Sequence, residues 1–105
     1  MQSAHKPIMS NAIIALCTLE MHLPGVLSLK EKRGLLKTMF GRIRKQFNVS
    51  VAEIDHQDTW RSTRIAIVTV TNSTVHAQQS INTIVKWVEA TFPDQLITDQ
   101  DIEIL

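Results

Sequence analysis

Asn48-Val49-Ser50-Val51-Ala52-Glu53-Ile54-Asp55, a polar stretch from His56 to Ser62, and then Thr63-Arg64-Ile65-Ala66-Ile67-Val68-Thr69-Val70-Thr71 is the segment that decides the fold. Both flanks are rich in β-branched residues, the second alternates strongly, and the polar segment between them supplies the reversal, so the whole predicts a β-hairpin. Upstream, Ser28-Leu29-Lys30-Glu31 is a capping box, in which Ser28 accepts from the Glu31 amide and the Glu31 carboxylate reaches back to the Ser28 amide. From there Leu29, Leu35, Leu36, Met39, Phe40, Ile43 and Phe47 fall in one sector at 100° per residue, which predicts an amphipathic helix. Gly41 weakens that helix without ending it.

The elements outside this centre follow in order. Ala12 to His22 is apolar on both faces at first and alternates later, as a central strand does, and Leu23-Pro24-Gly25 ends it. Downstream of the hairpin, Ser73 or Thr74 caps a second helix, in which Ala77, Ile81, Ile84, Val85, Val88 and Phe92 recur at helical spacing until Pro93. Leu96 to Leu105 reads as a last strand whose acids, Asp99, Asp101 and Glu103, have no base among them, which suits a sheet edge. The order β-α-β-β-α-β is the split βαβ arrangement. Right-handed crossovers then place both helices on one face of a four-stranded antiparallel sheet, order 4-1-3-2, an α+β sandwich of the ferredoxin-like kind. Such a fold hosts many functions and assigns none.

The 105 residues allow one core and one domain, spanning 11–105, after a polar lead-in over 1–10 that predicts flexibility and contains Met9 as a candidate translation start. Apolar residues at 44% and charged residues at 20% exclude intrinsic disorder. Cys17 is the sole cysteine, so no internal disulfide and no cysteine zinc cluster can form, and a reducing cytoplasm is the expected location. No apolar run approaches the roughly 20 residues needed to span a bilayer, and the N-terminus has no signal-peptide pattern. Two Asn-x-Ser/Thr matches, at Asn48 and Asn72, are read as coincidences of a short pattern.

Two long ordered motifs add a resemblance. Leu23-Pro24-Gly25 with Ser28-Leu29-Lys30-Glu31-Lys32-Arg33, and Phe47-Asn48-Val49-Ser50-Val51-Ala52-Glu53 with Asp55, Gln57, Asp58 and Trp60, closely resemble the bacterial YlxP-like family from about Ala12 to Asn72. The resemblance implies a ferredoxin-like, cytoplasmic protein with no agreed activity. It also implies gene company among translation and ribosome-maturation functions. The chain departs from the family in its longer lead-in.

Charge is unevenly placed. Seven of the eleven basic residues lie between Lys30 and Lys45 against one acid, Glu31, so this segment carries a formal +6 (seven minus one) while the chain as a whole is at +1. Lys30, Arg33, Lys37 and Arg44 project close to one line beside the apolar sector, a layout that fits a row of phosphates, whereas the plain alternative is a solvated helix face. Lys32 falls inside the apolar sector and must either reach a carbonyl or carboxylate or act as a phosphate ligand at the helix N-terminus. The expected RNA contacts are therefore Lys30, Lys32, Arg33, Lys37, Arg44 and Lys45, joined by Trp60, Arg61 and Arg64 from the hairpin. Trp60 is a candidate base-stacking group, with folding back over the core as its alternative. Neither central strand carries an aromatic residue, so the sheet itself does not offer a stacking surface.

Parallel first and second strands also bring His22, Ser28, Asp55, His56, Gln57 and Asp58 to one edge of the domain. This edge is a candidate functional surface. No HxH or HExxH spacing, phosphate loop, dinucleotide fingerprint or nucleophile elbow is present, so no metal, cofactor or catalytic role is assigned. The leading expectation is a non-enzymatic factor for structured RNA or a ribosomal subunit. The alternatives are a homo-oligomeric interaction module using the uncovered sheet face, and a small-molecule enzyme at the His22, Asp55 and His56 edge.

Overall fold

A computed structural model describes residues 12–105, and the lead-in over 1–10 lies outside the described residues. Six elements follow one another: β1 (Ile13–His22), α1 (Leu29–Gln46), β2 (Ser50–Asp55), β3 (Ser62–Thr71), α2 (Thr74–Thr91) and β4 (Leu96–Ile104). The strands form one antiparallel sheet in the order β2-β3-β1-β4, which counted from the other edge reads 4-1-3-2. This is an α+β arrangement of four antiparallel strands and two helices. No helix among the described residues is long and apolar enough to cross a membrane.

Register follows from alternation. Ile14 pairs with Val70, Cys17 with Ile67 and Leu19 with Ile65, so Ala15, Cys17, Leu19 and Met21 of β1 and Ile65 and Ile67 of β3 share one face. That face is fully buried beneath Met39 and Ile43 of α1 and Ala77, Ile81 and Val88 of α2, all in a single core cluster. Cys17 sits within it. Burial, helped by the charge of Asp101, pushes its thiol pKa up from 9.0 to about 11, so it is an inert part of the core.

Both helices start as their sequences dictate, with Ser28 Oγ accepting from Glu31 N and Ser73 Oγ from His76 N. One detail of the capping box differs from expectation. The Glu31 carboxylate accepts from Leu27 N at 3.2 Å, one residue beyond the Ser28 amide, because the extended backbone at Ser28 turns the preceding amide towards the helix's first turn. α1 ends at Phe47, whose amide still bonds Ile43 O, and whose ring meets Trp87 edge-on at 5.5 Å. Trp87 also meets Phe92 at 6.1 Å, with the Arg42 guanidinium over both rings, so this tryptophan closes the helix–helix margin.

Among the described residues no helix lies over the opposite sheet face. Ile14 (41% exposed), Ile54 (49%) and Val70 (63%) lie there, with Asp99 and Asp101 of β4 paired opposite Glu20 and Thr18.

Candidate functional site

The polar end of the domain is built around a buried lysine. Lys32 is 1% exposed, and its ammonium donates to His56 O at 2.5 Å and Thr59 O at 2.7 Å, and pairs with Glu53 Oε2 at 2.7 Å. These contacts use all three of its protons. Glu53 in turn accepts from Thr63 Oγ1 at 2.6 Å. The phosphate-ligand expectation for Lys32 is thus corrected: its position in the apolar sector of α1 carries it under the β2–β3 loop, where no external phosphate reaches. Glu53 is the residue sequence reasoning missed. Its signal was present, because it shares the core-facing register of β2 with Val51, and a carboxylate there needs a cation just as Lys32 needs an anion.

The loop that Lys32 holds is fixed at several points. His56 has a left-handed backbone (φ 66°). Its amide bonds Asp55 Oδ1 at 2.7 Å and its Nε2 meets Glu20 Oε2 at 2.6 Å. Beyond Trp60, Arg61 O accepts from Leu23 N at 2.8 Å and Arg61 Nε donates to Val26 O at 3.1 Å. A non-glycine residue at positive φ is retained only where its neighbours over-determine it, and here four contacts do so: the amide to Asp55, Nε2 to Glu20, and the carbonyl to Lys32 Nζ and Thr59 N. Trp60 itself stays 49% exposed, so it does not seal the core.

Arg64 is placed differently from the expectation that made it an RNA contact. β3 alternation puts it on the uncovered sheet face, away from α1, where Nε pairs with Glu20 at 2.8 Å and one terminal nitrogen with Asp55 at 3.2 Å. The hydrogen bond and charge of Glu20, with Asp55 and Asp99 adding, raise its pKa further. It is neutralised by the protein's own acids.

The other expected RNA contacts on α1 lie on the exposed surface of that helix, while Arg61 Nε is taken by Val26 O. Leu36, Met39 and Ile43, with Lys32, are the buried residues of α1. Lys30, Arg33, Lys37, Arg44 and Lys45 are all exposed, and among the described residues none of them forms an ion pair. The strip from Lys30 to Arg44 is about 20 Å long at 1.5 Å per residue. Lys30 and Arg33 begin it in the same turn as Lys32, beside the anchored loop.

The edge that was expected to gather His22, Ser28, Asp55, His56, Gln57 and Asp58 is only partly a unit. Asp55 and His56 join Glu20 and Arg64 in one network. Ser28 is spent on the helix cap, and His22, Gln57 and Asp58 are exposed. Among the described residues no three His, Cys, Asp or Glu side chains are grouped so as to hold a metal ion. An open cleft of about 340 Å³ adjoins Glu20 and Arg64, with Asp99 and Asp101 also lining it.

A helix-backed four-stranded sheet with one cationic helix face and a lysine-anchored hairpin loop defines a small α+β domain. The chain belongs to the family described as "Protein of unknown function (DUF503)", whose model matches residues 14–101. It is 39% identical over 67 residues to the uncharacterized protein YlxP of Bacillus subtilis (strain 168), covering 64% of this chain and 72% of that protein.

Proposed function

We propose that this protein is a non-enzymatic cytoplasmic factor of ferredoxin-like fold that binds structured RNA, most naturally a ribosomal subunit, along the exposed face of α1. The observation that carries the reading is the row Lys30, Arg33, Lys37 and Arg44, exposed and without ion pairs to the described acids. A solvated helix face that served solubility alone has no need to align four of the chain's eleven basic residues along one line. A-form RNA has a major groove too narrow for side chains to read, so a rod of this kind meets phosphates and 2′-hydroxyls, and recognition follows shape rather than sequence.

The test is charge reversal at Lys30, Arg33, Lys37 and Arg44 to glutamate, followed by co-sedimentation with ribosomal subunits and titration of a labelled RNA hairpin. Binding is expected to vanish while the circular dichroism spectrum is kept. In the unmodified protein the logarithm of the affinity should fall with the logarithm of salt at a slope of about 3 to 4, the value for four phosphate contacts. Unchanged co-sedimentation of the reversed variant refutes the reading.

A second reading is a homodimer formed face to face by the uncovered sheet surface. The exposure of Ile14, Ile54 and Val70 on that face favours it, since aliphatic side chains gain from a cover. Sedimentation equilibrium decides it: a monomer at high micromolar concentration removes the dimer, and a dimer that persists in Ile14→Asp, Val70→Asp does so too.

A further inference from the structure

An exposed tryptophan on a well-anchored loop needs a reason. Trp60 sits between two tied residues: Thr59 O is held by Lys32 Nζ at 2.7 Å and Arg61 O by Leu23 N at 2.8 Å, with Arg61 Nε on Val26 O. The loop is further set by the hydrogen bond from Thr59 N to His56 O at 3.0 Å, and by the left-handed His56 that precedes it. Trp87, by contrast, is packed among Phe47, Phe92 and Arg42. One tryptophan is thus used in packing and the other is kept half in water at 49% exposure.

The position of Trp60 is specific. Through Lys32 its loop is fastened to the first turn of α1, the turn that also bears Lys30 and Arg33 at the start of the cationic strip. Resting on the RNA reading above, we infer that Trp60 is a stacking platform for an unpaired base at the end of that strip. The ligand class is then a stem whose duplex lies along α1 and which carries a single-stranded extension or flipped-out base, rather than an uninterrupted duplex. A base inside a stacked duplex offers no free face to an indole, whereas an unpaired one does. Because the loop is fixed in advance, ordering it on binding costs little, and the stacking gain reaches the affinity. Lys32 is a positioning residue for this platform and touches no RNA.

The experiment uses the full chain and three labelled RNA hairpins: one blunt, one with a short oligoadenosine tail, and one with a tail of equal length made of abasic units. The adenosine tail is expected to tighten binding about 5- to 100-fold over both others. Trp60→Ala should erase that preference while leaving affinity for the blunt hairpin and its salt slope unchanged, and Trp60→Phe should retain most of it. Equal binding of all three hairpins by the unmodified protein overturns the stacking site and leaves the strip standing. So does a preference that survives in Trp60→Ala. Failure of every hairpin to bind ends both proposals, and thermal melts of the variants confirm that each comparison is made on folded protein.

Discussion

Replacing Lys32 by methionine keeps the aliphatic stem and deletes only the ammonium, which makes it the sharpest probe of how the polar end is held together. The structure fixes what is lost: two bonds to the carbonyls of His56 and Thr59 and one ion pair to Glu53, from a side chain 2% exposed to a partner 17% exposed. Removing one partner of a buried pair leaves the other charge uncompensated, at about 3–5 kcal/mol. Glu53 retains its bond from Thr63, which places the loss towards the lower end. Urea unfolding followed by circular dichroism should show that decrease in midpoint, and a thermal melt should fall by at least about 12 °C. The second arm is Lys32→Met with Glu53→Gln. Neutralising the stranded carboxylate should restore about 1–3 kcal/mol relative to Lys32→Met alone. Hydrogen exchange at Thr59 N, which bonds His56 O, should quicken in the single variant more than in the core strands. A single variant within about 1 kcal/mol of the parent, or a double variant no more stable than the single, refutes the anchoring argument.

Other outcomes follow from the same geometry. Ionisation of Cys17 in the unfolded chain near its ordinary value of 9.0, against about 11 in the fold, means that its contribution is intact below pH 9 and is lost as pH rises towards 11, about 2–3 kcal/mol in all. Cys17→Ala should lack this part of the alkaline decline, and the native thiol should resist iodoacetamide at pH 8. Gly41→Ala, at an exposed helical site where an added Cβ meets nothing within 4 Å, should stabilise by about 1 kcal/mol in urea titration. His56→Asn should be tolerated at φ 66° far better than His56→Val, because a β-branched side chain is strongly disfavoured in the left-handed region; equal midpoints for the two contradict the assigned conformation.

The elements were legible because their periods are strong: burial in β3 alternates from Ser62 to Val68, and α1 keeps its apolar sector through Ile43. Lys32 was legible as an anomaly, since angle alone places it among apolar residues. Its two carbonyl partners were not, because those of His56 and Thr59 are oriented by a left-handed residue that composition does not announce. Arg64 was misplaced for a different reason. Proximity to the loop grouped it with Arg61, although the same alternation that buries Thr63 and Ile65 sends Arg64 to the other side of the sheet.

β1 is hydrogen-bonded on one side to β3 and on the other to β4, with Ala15 opposite Ile104. The strand synthesised first among these elements therefore waits for the last one before both its flanks are closed. A nascent chain that has emerged only as far as α2 carries β1 with one row of amides and carbonyls unmatched, a surface apt to recruit another molecule's strand. A premature stop before Leu96 would consequently produce inclusion bodies rather than a shortened, working domain.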